Sequence, residues 1–174
     1  MAEKRNIFLV GPMGSGKSTI GRHLSQLLKM DFFDSDHEME RRTGVNIDWI
    51  LDIEGEAGFR SREEKIIAEL TNKQGIVLAT GKDCIQSKTI RTYLSARGMV
   101  IYLEITTSRQ LKYAYRDQKH PPHSIPNYSK VTIEALADEP GFLYKEISDV
   151  IVRTNNQSPR LIVKQILQIL ETSR

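Results

Sequence analysis

Residues 11–18 read G-P-M-G-S-G-K-S, directly after the apolar run I-F-L-V (7–10) and directly before a stretch where Leu24, Leu27 and Leu28 recur at helical spacing. The match to G-x-x-x-x-G-K-S/T is informative because of its flanks: a short buried strand must deliver the chain to a glycine-rich turn, and a helix must start from it. Glycines let backbone N–H groups turn inward around a phosphate, and the helix N-terminus adds partial positive charge there. Lys17 is then placed to reach the β- and γ-phosphates, and the Ser18 hydroxyl to ligate magnesium. The expectation is binding of a nucleoside triphosphate. The motif does not by itself separate a GTPase, an ATPase motor and a small-molecule kinase, because all three cradle phosphates in the same way.

Beyond this motif, I-V-L-A (76–79), M-V-I-Y-L (99–103) and residues 150–152 are further short β-rich runs. Helical spacing separates them: Ile66, Ile67 and Leu70 before the second run, Leu111 and Tyr115 after the third, then Leu161, Ile162, Ile166, Leu167 and Leu170 near the end. Such alternation predicts an α/β fold with a parallel sheet, helices on both faces and strand 7–10 at its centre. With 174 residues, 39% of them hydrophobic and 27% charged, the chain is expected to form one domain over 1–174.

The single cysteine, Cys84, excludes an internal disulfide, and no apolar run approaches the roughly 20 residues of a membrane span. After M-A-E-K-R-N the run I-F-L-V is too short for a signal peptide, so a cytoplasmic protein is expected, with no membrane partner. The formal charge is +3, but basic and acidic residues are interleaved, which argues against nucleic acid and suits anionic small molecules.

Two further stretches carry candidate chemistry. In M-D-F-F-D-S-D-H-E-M-E, Asp34 and Asp36 follow a short apolar strand, expected to end beside strand 7–10 as its parallel neighbour. One carboxylate there can hold magnesium through water while the other orients and deprotonates an attacking hydroxyl; Asp36 also stands where it would cap the helix that follows. In I-V-L-A-T-G-K-D-C (76–84), the loop after a buried strand is where an open α/β sheet binds ligands. Residues 118–130, with three prolines, form no helix and suit either a plain connection or a lid. Trp49, Ile50 and Ile53 are expected in the core, and His23 and His37 on solvated helix faces. His120 and His123 lack partners for a metal site, and Cys84 is expected to be a small buried hydrophobe.

Taken together, G-P-M-G-S-G-K-S, the D-S-D at 34–36, E-G-E-x-G-F-R ending at Arg60 and V-L-A-T-G resemble the shikimate kinase family, from Asn6 to about Leu170. The resemblance implies a P-loop NTPase-type, three-layer α/β/α fold with a five-stranded parallel sheet and a lid near 118–130. It further implies phosphorylation of the shikimate 3-hydroxyl from ATP and Mg2+, a step toward aromatic amino acids, carried out by a monomer. Carried onto this sequence, Gly14, Ser15, Gly16, Lys17, Ser18 and Thr19 would bind ATP, with Gln157 near the adenine. Ser18 and Asp34 would hold magnesium, and Lys17 the transferring phosphate. Asp36 would hold the shikimate hydroxyls and act as base, Arg60 would pair with the carboxylate, and Gly81 would line the ring.

Three departures fall on the acceptor side. The family's T-G-G-G is here T-G-K-D, with Lys82 and Asp83; its lid arginine is His120; and its second carboxylate-binding arginine is Pro140. These predict a kinase with impaired shikimate turnover. The alternative is a nucleotide-binding protein of the same type with little or no catalysis. The absence of an N-K-x-D guanine signature disfavours a GTPase.

Overall fold

The computed structural model describes residues 4–106 and 141–173. The predicted lid at 118–130, the pair Leu111 and Tyr115, and His120, His123 and Pro140 lie outside the described residues. Along the chain run β1 (Ile7–Val10), α1 (Lys17–Leu28), β2 (Asp31–Asp34), α2 (Ser35–Thr43), α3 (Ile47–Thr71), β3 (Ile76–Ala79), α4 (Lys88–Arg97), β4 (Met99–Glu104), α5 (Gly141–Ile147), β5 (Val150–Arg153) and α6 (Pro159–Thr172). A single 3-10 turn, Cys84–Gln86, leads from β3 to α4. The strands form one sheet in the order β2-β3-β1-β4-β5, and all four pairings are parallel.

The apolar runs are continuous because both faces of the sheet are covered. Successive side chains alternate between them. Phe8, Val10, Leu78, Val100 and Tyr102 pack with Ile67, Leu70, Ile90 and Leu94 under α3 and α4. Ile7, Leu9, Val77, Ile101 and Leu103 pack on the other face with Ile20, Leu24, Ile162 and Ile166 of α1 and α6. α1 lies so close over β2 that a Cβ at Gly21 would come within 2.7 Å of the Phe32 ring.

β1 is central, as its sequence predicts, but β2 is not its neighbour. β3 lies between them, and β2 is an edge strand, consistent with its half-buried D-F-F-D pattern beside the fully buried I-V-L-A. The carboxylates are nevertheless level with the end of β1, because Ala79 pairs with both Leu9 and Asp34.

Several expected core residues face out. Trp49 is 58% and Ile53 71% exposed, whereas Ile50 is buried. Gly55, at φ 73°, breaks α3 into two helices, and on the first of these Trp49 and Ile53, four apart, share the outward stripe while Ile47, Ile50 and Leu51 turn to the core. Leu27 and Leu161 are also exposed; both line a groove between α1 and α6 beside His23 and Arg160. His23 and His37 are exposed, and Cys84 is buried and free, as expected.

Candidate functional site

The loop from β1 to α1 turns on two glycines in the left-handed region, Gly14 at φ 85° and Gly16 at φ 90°. Gly16 is the N-cap of α1 and offers no side-chain cap, so the helix begins with first-turn N–H groups turned to the recess in front of it. Lys17 opens the helix and folds its ammonium over the loop, donating to the carbonyls of Gly11 at 2.5 Å and Pro12 at 3.0 Å.

Asp34 ties the second element to the first. Its Oδ2 accepts the Ser18 hydroxyl at 2.5 Å, while Oδ1 accepts the N–H groups of Asp36 at 3.0 Å and His37 at 3.1 Å. Asp34, not Asp36, is therefore the N-cap of α2. An N-cap carboxylate belongs in the last extended residue, and capping from there carries Asp36 into the first helical turn, beside the phosphate loop.

Asp36 has its pKa raised to about 6, first by burial and then by the nearby Asp34; Lys17 opposes this, and Asp83 and Glu40 add to it. Gly81, after β3, closes on this carboxylate. A Cβ at Gly81 would lie 2.2 Å from Asp36 Oδ1, so only glycine permits the approach. The Gly81 N–H is held by Ser35 Oγ at 2.8 Å, which fixes loop and helix together.

These groups line one recess of about 650 Å³ at the carboxyl edge of the sheet. Gly14, Gly16, Lys17, Ser18 and Thr19 form one side; Asp34, Asp36 and Gly81 face them, as do Lys82 and Asp83. Three expected residues are not in its lining. Ser15 is buried behind the loop. Arg60 donates to Glu56 Oε1 at 3.2 Å and Gln86 Oε1 at 3.3 Å. Gln157 is half-buried in the turn after β5, its N–H on the Thr154 carbonyl at 3.4 Å.

Glu63, which closes the family-like stretch G-F-R-x-R-E (58–63), is a lining residue to which the sequence assigned no role. Glu63, on α3, is 1% exposed, and its carboxylate sits against the buried Cys84 thiol. Burial raises its pKa to about 7, and Asp36 and Asp83 push the same way; Cys84 and Arg60 lower it. Its signal was present in the sequence: Glu63 stands at i, i+3, i+4, i+7 spacing with the buried Ile66, Ile67 and Leu70, a carboxylate on an apolar stripe.

The uncapped helix end suits phosphate, and the meeting of the Ser18 hydroxyl with Asp34 is the hard oxygen donor set that magnesium takes. A phosphate cradle and facing carboxylates in one recess at the carboxyl edge of a parallel sheet define a P-loop phosphotransfer protein.

The comparisons carry this further. The family described as shikimate kinase matches residues 13–171. Shikimate kinase 1 of Erwinia tasmaniensis is 58% identical over 99% of this chain and 100% of its own length, and that of Yersinia enterocolitica is 57% identical over the same shares. A shikimate kinase from Acinetobacter baumannii, solved in complex with shikimate, is 42% identical with a TM-score of 0.89, covering 98% of this chain and 95% of that one. The enzyme from Aquifex aeolicus is 30% identical with a TM-score of 0.83 and 97% coverage of each chain. The chain belongs to the shikimate kinase family.

Proposed function

We propose that the chain transfers the γ-phosphoryl group of ATP to the 3-hydroxyl of shikimate. The observation that carries this reading is the double engagement of Asp34, which links the phosphate-loop helix through Ser18 and caps α2 beside Asp36. In this reading Gly14, Ser15, Gly16 and Thr19 hold the nucleotide, and Lys17 leaves its carbonyl partners to meet the transferring phosphoryl group. Ser18 and Asp34 would hold magnesium, which neutralises charge on the β- and γ-phosphates. Asp36, its pKa raised to about 6, orients the acceptor hydroxyl and takes its proton. Gly81 presents bare backbone to the ring, Arg60 swings from Glu56 to the acceptor carboxylate, and Gln157 lies by the adenine. We further propose a single kinase domain over 1–174 with a lid at 118–130, acting as a cytoplasmic monomer on a small molecule and not on nucleic acid.

A second reading has its own support: Lys82 and Asp83 put side chains into the recess, and Arg60 is held outside its lining. In that reading ATP binds while shikimate turnover is weak or absent. Calorimetric titration with an ATP analogue, then shikimate, combined with a coupled ADP-release assay, separates the two. Binding of nucleotide with no response to millimolar shikimate rejects the kinase reading for this acceptor.

A further inference from the structure

On the face of the sheet away from α3 and α4, α1 and α6 lie side by side. Between them runs a groove of about 750 Å³ that shares no lining residue with the recess at the carboxyl edge. Its walls carry two large apolar side chains left open to water, Leu27 at 63% and Leu161 at 57% exposure. The titratable side chains in the lining are all basic: Arg160 and Lys164, one turn apart on α6, and His23 on α1. Neither Arg160 nor Lys164 has an ion-pair partner among the described residues, whereas Arg41, Arg42, Arg60 and Arg62 are each paired. An apolar cleft edged by unpaired charge of one sign marks a binding surface, because a ligand that carries the complement of both covers the one and neutralises the other.

The two kinds of residue are also sorted along the groove. α1 follows β1 and α6 follows β5, parallel strands of one sheet, so both helices leave its carboxyl edge in the same direction. Arg160, Lys164 and His23 fall in the first two turns, toward that edge, and Leu27 and Leu167 lie a turn farther along, with the buried Val163 as floor. From Arg160 to Leu167 the lining spans roughly 10 Å of helix. We infer that this trough binds a single-chain anionic amphiphile, its carboxylate among His23, Arg160 and Lys164 and its alkyl tail along Leu27 and Leu167. Arg160 and Lys164 supply fixed positive charge, and the His23 ring adds an N–H donor. The volume is that of a small-molecule site. A second copy of the chain does not suit the surface: a two-fold pairing sets groove against groove and brings like charges together, with no acid in either lining.

The test uses octanoate, octanol and octyltrimethylammonium, which share one tail and differ in the charge of the head. Each is titrated into the full chain at about pH 7, where the carboxylate is ionised, and binding is read from the leucine methyl signals in proton–carbon NMR spectra. Octanoate is expected to shift Leu27, Leu161 and Leu167 and to bind at least about tenfold tighter than octanol, the range of one charge-assisted hydrogen bond. Octyltrimethylammonium should bind more weakly than octanol. Arg160→Glu combined with Lys164→Glu, both exposed side chains, should reverse that order. Equal binding of octanoate and octanol to the unaltered protein overturns the proposal even if the variant fails to fold, and so does an order that survives the two substitutions or a response confined to other leucines. Shifts that grow with protein concentration alone would mean that a second copy covers the groove. Sedimentation with phosphatidylglycerol vesicles, without any response to free octanoate, would make it a membrane-facing surface. Either result also overturns the assignment.

Discussion

Gly81 and Glu63 show how much one position decides. At Gly81 a methyl group would meet the Asp36 carboxylate at 2.2 Å, so Gly81→Ala must displace Asp36 or the loop. A displacement near 1 Å of a group that positions the reacting atoms costs on the order of 10²-fold in kcat/KM. We expect that loss with nucleotide binding retained; steady-state kinetics beside ATP titration would show an unaltered kcat/KM if the contact were unimportant. Glu63 writes itself into the pH dependence of stability. Its native pKa of about 7 lies above the ordinary glutamate value of 4.5, so the native state holds its proton more tightly than the unfolded chain does. Stability from this group is complete below about 4.5 and declines as pH rises through 7, by on the order of 2 kcal/mol. Asp36 shifts in the same direction. Urea midpoints between about pH 5 and 8 should fall for the wild type and fall less for Glu63→Gln. Parallel curves would show that the buried carboxylate does not titrate in this way.

At the scale of the element, α2 is held at both ends by charge. Asp34 caps its start, and near its middle Glu38 accepts Arg41 at 2.6 Å and Arg42 at 3.0 Å, with Arg42 reaching Glu69 of α3 at 2.5 Å. The hydrogen bond from Arg41 leads in lowering the Glu38 pKa to about 2, so this clamp is intact throughout the range above pH 5. Asp34 has two duties that substitution separates. Asp34→Asn keeps a good N-cap and should leave the melting temperature nearly unchanged, while removing a charged magnesium ligand and cutting kcat steeply. Asp34→Ala loses both and should cost about 1 kcal/mol of stability in addition. Equal kcat in Asp34→Asn and wild type would remove Asp34 from the metal site.

For the whole molecule, the ends of three strands and two helices meet only after the sheet has assembled, so ligand binding and global stability are coupled. A ligand that binds only the native state adds about 2.7 kcal/mol at a hundred times its dissociation constant. Magnesium–ATP should therefore raise the melting temperature of the wild type by several degrees, and Lys17→Ala should abolish most of that shift while leaving the unliganded melting temperature close to wild type. An equal shift in both proteins would place the nucleotide somewhere other than the phosphate loop. The opposite edge of the sheet is anchored by Asn6, whose amide donates to the Lys73 carbonyl at 2.7 Å and accepts the Ile76 N–H at 3.0 Å. It joins the starts of β1 and β3 far from the chemistry.

What the sequence determined by itself was whatever local spacing encodes. The strand, glycine turn and helix around 7–28 are contiguous in the chain, and a phosphate cradle made largely of backbone needs no distant residue to complete it. Continuous apolar runs announced strands buried on both faces, and the carboxylates at 34 and 36 were legible because a short strand and a helix start adjoin them. Tertiary structure decided what depends on order and direction. β3 inserts between β1 and β2, which no local pattern records, since strand order follows from how crossover helices pack. Trp49 and Ile53 are exposed because their helix lays the Ile47, Ile50 and Leu51 stripe on the core, a choice of face that only packing makes. Glu63 reads in sequence as a carboxylate on an apolar helical stripe, which does not say what it faces. Only the folding of α3 against β3 and α2 turns it away from water and brings it against Asp36 and Asp83, where low polarity and like charge make an ordinary side chain part of the site.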